Sequence, residues 1–292
     1  MTVLAQTREV SKRFGRLLAV DRVSVRVDAG EVVGLLGANG AGKTTLIRLL
    51  LGLERPSSGG VRLFDEAPSR ATRRRLGYVP QGLGLYEDLT PGENLAFSRT
   101  VFGVGTTTLP PSIGRFAEVA IGDVPLGVQR RVAFVEALAH DPELLVLDEP
   151  TSGVDPLARA RLWETIRDAA ERGVGVLVTT HHMEEAEECD RLVVMASGAV
   201  VAEGTIGDIV GDSRVAVVET DDWARALDAL DRAGMRVALV GTSLRIPGAA
   251  ASDVAEVLGH GPFSVDDAPA TLEERFIELA RSTGDAPTAT DA

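Results

Sequence analysis

Apolar residues in this chain gather in short unbroken runs, separated by stretches whose apolar positions repeat at helical spacing. Val23–Val27 and Val32–Leu36 are Val/Leu-rich and flanked by Gly30 and Gly37, the pattern of short strands. From Lys43 to Leu51, Leu46, Leu49 and Leu50 share a helical face, and Gly52 marks the end. Val61–Leu63 and Leu76–Val79 predict two further strands. Between Thr90 and Gly122 the pattern loosens, broken by Pro110 and Pro111. A helix over Gln129–His140 then leads into the strand Leu144–Leu147. A second helix, Pro156–Arg172, leads into the strand Val174–Thr179. Val193–Met195 and Val200–Ala202, split by Ser197-Gly198, read as a terminal hairpin. Strands alternating with helices imply an α/β fold with a mainly parallel sheet covered on its faces.

The pattern changes after Gly211. Arg214–Glu219, Asp222–Ala233, Met235–Val240 and Ser252–Leu258 predict a small α+β unit, closed by a helix over Thr271–Ala280. Thr271 and Glu274 have capping-box spacing, and Leu272, Phe276 and Leu279 share one face. The expected division is therefore 1–210 for the α/β domain, with a helical subdomain over about 85–140, and 211–283 for the α+β unit. The tail 284–292 has nothing to bury and is expected to be disordered.

Composition narrows the function. With 45% hydrophobic and 4% aromatic residues, the core must be built from Val, Leu, Ile and Ala. A net charge of −13 argues against a phosphate-backbone partner, and no nucleic acid is expected. Arg73, Arg74 and Arg75 read as a solvated helix face. Cys189 is the only cysteine, which excludes an intrachain disulfide and a cysteine zinc site. The first residues lack the apolar core of a signal peptide, and the longest apolar runs are of strand length. A cytoplasmic protein is expected, so any membrane-spanning part belongs to another chain.

Gly37-Ala38-Asn39-Gly40-Ala41-Gly42-Lys43-Thr44 fits G-x-x-x-x-G-K-[ST] between a predicted strand and a predicted helix. Glycines let the backbone curl so that successive N–H groups face an anion, and the helix adds its positive end. Lys43 supplies charge for the β- and γ-phosphates, and the Thr44 hydroxyl can ligate Mg²⁺. About a hundred residues on, the apolar run Leu144–Leu147 ends in two adjacent carboxylates. Asp148 is placed to hold Mg²⁺ through water, and Glu149 to orient and deprotonate an attacking water.

Over roughly residues 3–208 the sequence resembles the ATP-binding subunits of ABC transporters, with a P-loop NTPase core. That resemblance implies ATP and Mg²⁺ as ligands, with Gly37–Thr45 around the phosphates. It implies that Phe14, in Ser-Lys-Arg-Phe-Gly, stacks on adenine, and that Gln81, in Tyr-Val-Pro-Gln, contacts Mg²⁺. Ser152-Gly153-Val154-Asp155 resembles the loop that crosses a dimer interface, placing Ser152 and Asp155 there. His181, in Thr-Thr-His-His-Met, matches the histidine that touches the γ-phosphate; His182 reads as packing or surface. The implied partners are a transmembrane permease, at the inner face of the membrane, and a second ATPase subunit, identical or not. The closing helix, Ala-Thr-Leu-Glu-Glu-Arg-Phe-Ile, resembles drug-export members.

Two departures stand out. Where the family carries Leu-Ser-Gly-Gly-Gln, this chain has Val124-Pro125-Leu126-Gly127-Val128 before Gln129. Gly127, Val128 and Gln129 are the expected dimer contacts, and Pro125 suits a helix's first turn; the serine hydroxyl and the first glycine are gone. The segment between Leu95 and Val124 is also short, and its usual amphipathic helix is not evident. Two other readings follow: a regulatory, weakly hydrolysing subunit of a heterodimer, and a soluble ABC-type ATPase unconnected with transport.

Overall fold

The computed structural model describes residues 2–103 and 109–282. The chain separates into two compact units, Met1–Val200 and Val201–Ala292. The tail expected to be disordered lies outside the described residues.

The first unit is built on parallel strands in the order β9-β4-β8-β7-β6. These are β4 (Val32–Leu36), β6 (Leu76–Val79), β7 (Leu144–Asp148), β8 (Gly175–Thr180) and β9 (Arg191–Ala196). Every residue of β4, β7 and β8 is buried, so each reads as a continuous apolar run rather than an alternation. Alternate side chains feed opposite faces. Val33, Leu35, Leu144 and Val146 pack with Leu46, Ile47, Leu49 and Leu50 of α1 (Lys43–Leu50). Val32, Leu145 and Leu147 pack against Phe134 of α5 (Leu126–Leu138) and Leu162, Trp163 and Ile166 of α6 (Pro156–Glu171). β9 leads through Ser197 and Gly198, at φ 47° and 82°, into β10 (Ala199–Gly204). Both positive angles fit a tight two-residue turn.

A second, antiparallel layer is formed by β1 (Val3–Phe14), β2 (Leu17–Val23), β3 (Arg26–Asp28) and β5 (Ser58–Leu63), with β1 paired to the other three. The single strand expected over Val23–Val27 is broken here. Buried Thr7 donates its hydroxyl to the Val23 carbonyl at 3.1 Å and accepts from Val25 N at 2.9 Å, which separates β2 from β3. β1 has no counterpart in the sequence reading, because three of its pairings carry register shifts that blur alternation.

The loosely patterned segment does contain a helix. After the short α2 (Arg70–Arg73), α3 runs over Pro91–Phe102. Thr90 accepts from Glu93 N, the Glu93 side chain returns to Thr90 N, and Gly103 closes the far end at φ 72°. Thr-Pro-Gly-Glu is a legible start signal, but the helix buries few apolar residues, so periodicity misses it. The short α4 (Pro111–Gly114) and a 3₁₀ turn over Ile121–Asp123 follow. α5 begins three residues earlier than expected. Pro125 stands just before its first turn, and its carbonyl accepts from Val128 N at 2.8 Å and Gln129 N at 3.1 Å. α7 (Met183–Ala186) follows β8.

In the second unit, α8 (Ile206–Val210), β11 (Arg214–Thr220), α9 (Trp223–Arg232), β12 (Ala238–Val240), β13 (Ser243–Pro247), α10 (Ala251–Leu258), β14 (Phe263–Pro269) and α11 (Leu272–Ser282) succeed one another. The antiparallel sheet order β12-β13-β11-β14 is that of a split βαβ fold. Ala226, Leu230, Val254 and Leu258 of α9 and α10 pack on Ala216, Val218, Leu244 and Ile246. α8 lies before the boundary expected at 210, yet its Ile209 carbonyl accepts from Arg275 Nε of α11 at 3.2 Å. Glu274 holds Arg245 by two bonds, at 2.6 and 3.1 Å, and accepts from Thr271 N at 2.7 Å. Burial pushes the Glu274 carboxyl up, but Arg245 and Thr271 outweigh it, and its pKa lies below the ordinary 4.5. The carboxylate's stabilisation is therefore complete above that value and is lost as pH falls through the depressed native one. Glu274→Ala is expected to destabilise this unit by about 3 kcal/mol, because Arg245 loses its carboxylate partner and keeps only the Pro269 carbonyl. Urea unfolding followed through Trp223 in a Trp163→Phe background measures it.

Candidate nucleotide site

Four neighbouring parallel strands deliver the site from their carboxyl ends, the edge where open α/β sheets bind ligands. Beyond β4 the chain turns through Gly37–Gly42 into α1. Gly40 and Gly42 lie at φ 85° and 101°, a conformation that favours glycine. A Cβ on Gly42 would stand 2.4 Å from the Ala19 carbonyl of β2, and one on Gly37 2.6 Å from the Met195 carbonyl. No side chain caps α1 at this end. Lys43 is buried, and its Nζ donates to Gly37 O at 2.5 Å and Ala38 O at 3.2 Å, so the ammonium spans the loop. Burial pulls its pKa below the ordinary lysine value, with Glu149 and Asp148 acting in the opposite sense. Asn39 and Gly40 form the exposed tip, Ala41 is buried, and Thr44 and Thr45 are half-buried.

β7 ends in the two carboxylates. Asp148 Oδ1 accepts from Thr44 Oγ1 at 3.3 Å and from Thr179 Oγ1 at 2.7 Å. Glu149 Oε1 lies 3.8 Å from Lys43 Nζ and 3.4 Å from His181 Nδ1, the latter without hydrogen-bond geometry. Its other oxygen accepts from Gln81 Nε2 at 3.3 Å. One carboxylate thus touches side chains that follow β4, β6 and β8. Glu149 itself lies at φ 50°, an uncommon conformation for a residue with a side chain. Its N–H is held by Thr179 Oγ1 at 2.9 Å.

A profile of the ABC transporter family matches residues 20–152. Over 210 residues the chain is 45% identical to the Nod factor export ATP-binding protein I of Burkholderia lata, covering 68% of this chain and 69% of that protein. The chain belongs to the ABC transporter ATP-binding proteins. A probable multidrug ABC transporter ATP-binding protein of Escherichia coli, YbhF, is 40% identical over 220 residues, 71% of this chain; the match spans only 38% of YbhF's own length. Among solved structures, an ATP-binding subunit of an ABC transporter superposes with a TM-score of 0.66 at 31% identity, covering 70% of this chain and 91% of that one. The first unit thus contains an ABC ATPase domain, and the chain is an ATP-hydrolysing subunit of a transporter.

Within this ABC ATPase the expected residues are not all equally close. Lys43, Thr44, Gln81, Asp148, Glu149 and His181 converge. Phe14 stands at the end of the β1–β2 hairpin, 44% exposed, with Lys12 Nζ 4.8 Å from its ring centroid. It is connected to the phosphate loop through β2, whose Ala19 carbonyl lies against Gly42. The His182 ring packs on His181, centroids 4.1 Å apart, and burial, then His181, lower its pKa. Cys189 is mostly buried, and burial pushes its thiol up to about 12, which leaves it inert.

The variant signature packs against its own chain. Leu126 Cδ2 lies 3.2 Å from the position a Cβ would take on Gly153, and Gly127 faces Ala158. The Val128 side chain faces inward on α5 and is buried with Ile113, Ile121, Val124 and Val132. Gln129 Nε2 donates to Val124 O at 3.0 Å. Ser152 is half-buried; Asp155 is exposed and caps α6, accepting from Ala158 N at 3.0 Å. Two buried groups escaped the sequence reading. Thr179 bridges Asp148 and Glu149, and Arg130 reaches three carbonyls of the turn after β7. Arg130 heads a helical stripe with Phe134 and Ala137, and that spacing was the available signal.

Proposed function

We propose that this chain is the ATP-driven motor of an exporter, working with a separate transmembrane permease at the inner face of the membrane. The observation that carries the reading is the convergence of Lys43, Gln81, Asp148, Glu149 and His181 where four parallel strands end. In this reading ATP lies with its phosphates in the Gly37–Thr45 loop, and Lys43 exchanges its two loop carbonyls for β- and γ-phosphate oxygens. Phe14 meets the adenine. Thr44, Gln81 and Asp148 offer a hydroxyl, an amide oxygen and a carboxylate. Such hard oxygen donors fit Mg²⁺, which is usually held by one or two carboxylates, with water and phosphate filling the rest of its shell. Bound there, Mg²⁺ neutralises charge on the β- and γ-phosphates. Among the described residues no cluster of three His, Cys, Asp or Glu competes for a metal.

Glu149 accepts a proton from the attacking water, whose oxygen bonds the γ-phosphorus as the bond to the β–γ bridging oxygen breaks. Lys43 and His181 stabilise charge on the transferring group, and ADP and phosphate leave. Each site is completed by the signature region of a second ATPase subunit, through Gly127, Gln129, Ser152 and Asp155, in a head-to-tail pair. No side chain caps α5 at Pro125, so the positive end of that helix can still face a γ-phosphate across the pair. Among the described residues no helix is long and apolar enough to cross a membrane, which leaves the crossing to a permease. Export rather than uptake rests on the named export relatives.

Pro125 and Leu126 favour one second reading, a subunit whose own signature closes weakly on a partner's ATP. The missing hydroxyl removes a charge-assisted bond worth about 1.5–3 kcal/mol. Turnover of MgATP by the purified chain over a concentration series separates the two. Turnover rising faster than linearly with protein supports a self-complementing pair. Tight ATP binding without turnover at any concentration supports the weak subunit.

A further inference from the structure

We propose that Arg130 is a positioning residue for hydrolysis: it fixes the turn that aims Glu149, and so ties the base to the placement of the signature helix. The proposal rests on the reading of Glu149 and the signature given above.

Arg130 is 4% exposed, and a buried guanidinium must find acceptors. Its acceptors are all main-chain carbonyls of a single turn. NH1 donates to Glu149 O at 3.1 Å and Pro150 O at 2.9 Å, and NH2 donates to Ser152 O. Both peptide groups of Glu149 are thereby pinned from outside, the N–H by Thr179 and the carbonyl by Arg130. A left-handed glutamate persists only where its surroundings over-determine it. Released from Arg130, the turn can relax and swing the carboxylate away from Lys43, Gln81 and His181.

Arg130 also lies about one helical turn from Leu126, so a shift of the signature end of α5 carries the guanidinium with it. The opposite side of the turn is anchored separately. Thr151 Oγ1 donates to Glu185 Oε1, and the buried Glu185 carboxylate lies 3.5 Å from Arg159 Nε. A shift of α5 against that anchor falls on Glu149 rather than moving the whole turn. The base in one site thus responds to whether the same chain's signature is engaged on the other.

Arg130→Lys and Arg130→Met in the full chain test this. Lysine keeps the charge but cannot span three carbonyls. We expect kcat to fall about tenfold for Lys and about a hundredfold for Met, the size of effect that small misplacements of a reacting group produce. KM and the calorimetric Kd for MgATP should stay within about twofold, since the hydrogen bonds of Arg130 go to the turn after β7 and not to the phosphate loop. In a Glu149→Gln background, Arg130→Lys should cause no further loss of residual turnover. Wild-type kcat in Arg130→Lys overturns the proposal, as does a rise in KM at constant kcat or an equal loss in the Glu149→Gln background. If Arg130→Met loses ATP binding, the Lys variant alone decides. Wild-type turnover in Glu149→Gln itself would overturn the base assignment, and the proposal with it; an inactive Glu149→Gln beside a fully active Arg130→Lys removes only the positioning role.

Discussion

Glu149→Gln is expected to lower ATP turnover by about 10²–10⁴-fold, the range that a positioned general base contributes, while ATP binding is kept or tightened. The amide preserves the shape of the side chain and its contact with Gln81, but it cannot take a proton from water. Binding survives because Glu149 is no part of the phosphate cradle. It lies 3.8 Å from Lys43 Nζ and competes with the phosphates for that ammonium. Removing its charge leaves Lys43 free to serve the nucleotide alone. Single-turnover hydrolysis and equilibrium binding, measured side by side, check both halves. Hydrolysis within a few-fold of wild type would remove Glu149 from the role of base. A parallel loss of binding would place it in the nucleotide cradle instead.

Much of this site can be read from the sequence because its parts are local. The loop Gly37–Thr44 is spelled out in consecutive residues, and Asp148 and Glu149 are announced by the apolar run of a fully buried parallel strand. What brings Gln81, Glu149 and His181 together is harder to read. They are 68 and 32 positions apart, and only the strand order joins them. The pattern of alternating strands and helices predicts a parallel sheet, but not that β6, β7, β8 and β4 stand in consecutive places. Thr179 and Arg130 are harder still. A threonine at the end of a β-branched run and an arginine in Gln129-Arg130-Arg131 look ordinary in one dimension. Their value lies in which carboxylate or carbonyl each meets across the fold. The missed helix α3 is the converse case, since its capping signals were plain while its burial was too slight for periodicity to register. In the second unit β11, α9, β12, α10 and α11 are legible one by one, whereas α8, β13 and β14 are not. The order β12-β13-β11-β14, with strands adjacent in space but not in sequence, is not legible either.

Lys43→Ala should abolish useful ATP binding, because Lys43 is the one full positive charge held by the loop itself. Its ammonium is already organised by Gly37 O and Ala38 O, so binding exchanges two neutral acceptors for anionic ones at little cost in side-chain entropy. Charge-assisted bonds contribute about 1.5–3 kcal/mol each. Two of them correspond to an affinity loss of about 10²–10⁴-fold at 1.4 kcal/mol per decade. The fold should tolerate the change, since alanine also removes a charge that burial disfavours. Calorimetry with MgATP measures the loss, and circular dichroism checks the fold. The pH dependence distinguishes lost charge from lost shape. Burial holds the free-state pKa of Lys43 below the ordinary 10.5, and anionic phosphate binds only its protonated form. Wild-type affinity should therefore be level on the neutral side and fall as pH rises through that depressed value, earlier than an exposed lysine would dictate. Lys43→Ala, having no such proton to lose, should show weak binding with no alkaline fall from this site. A wild-type profile that stays level well past the ordinary lysine value would mean that the phosphates are held by the loop's N–H groups and α1, not by the ammonium.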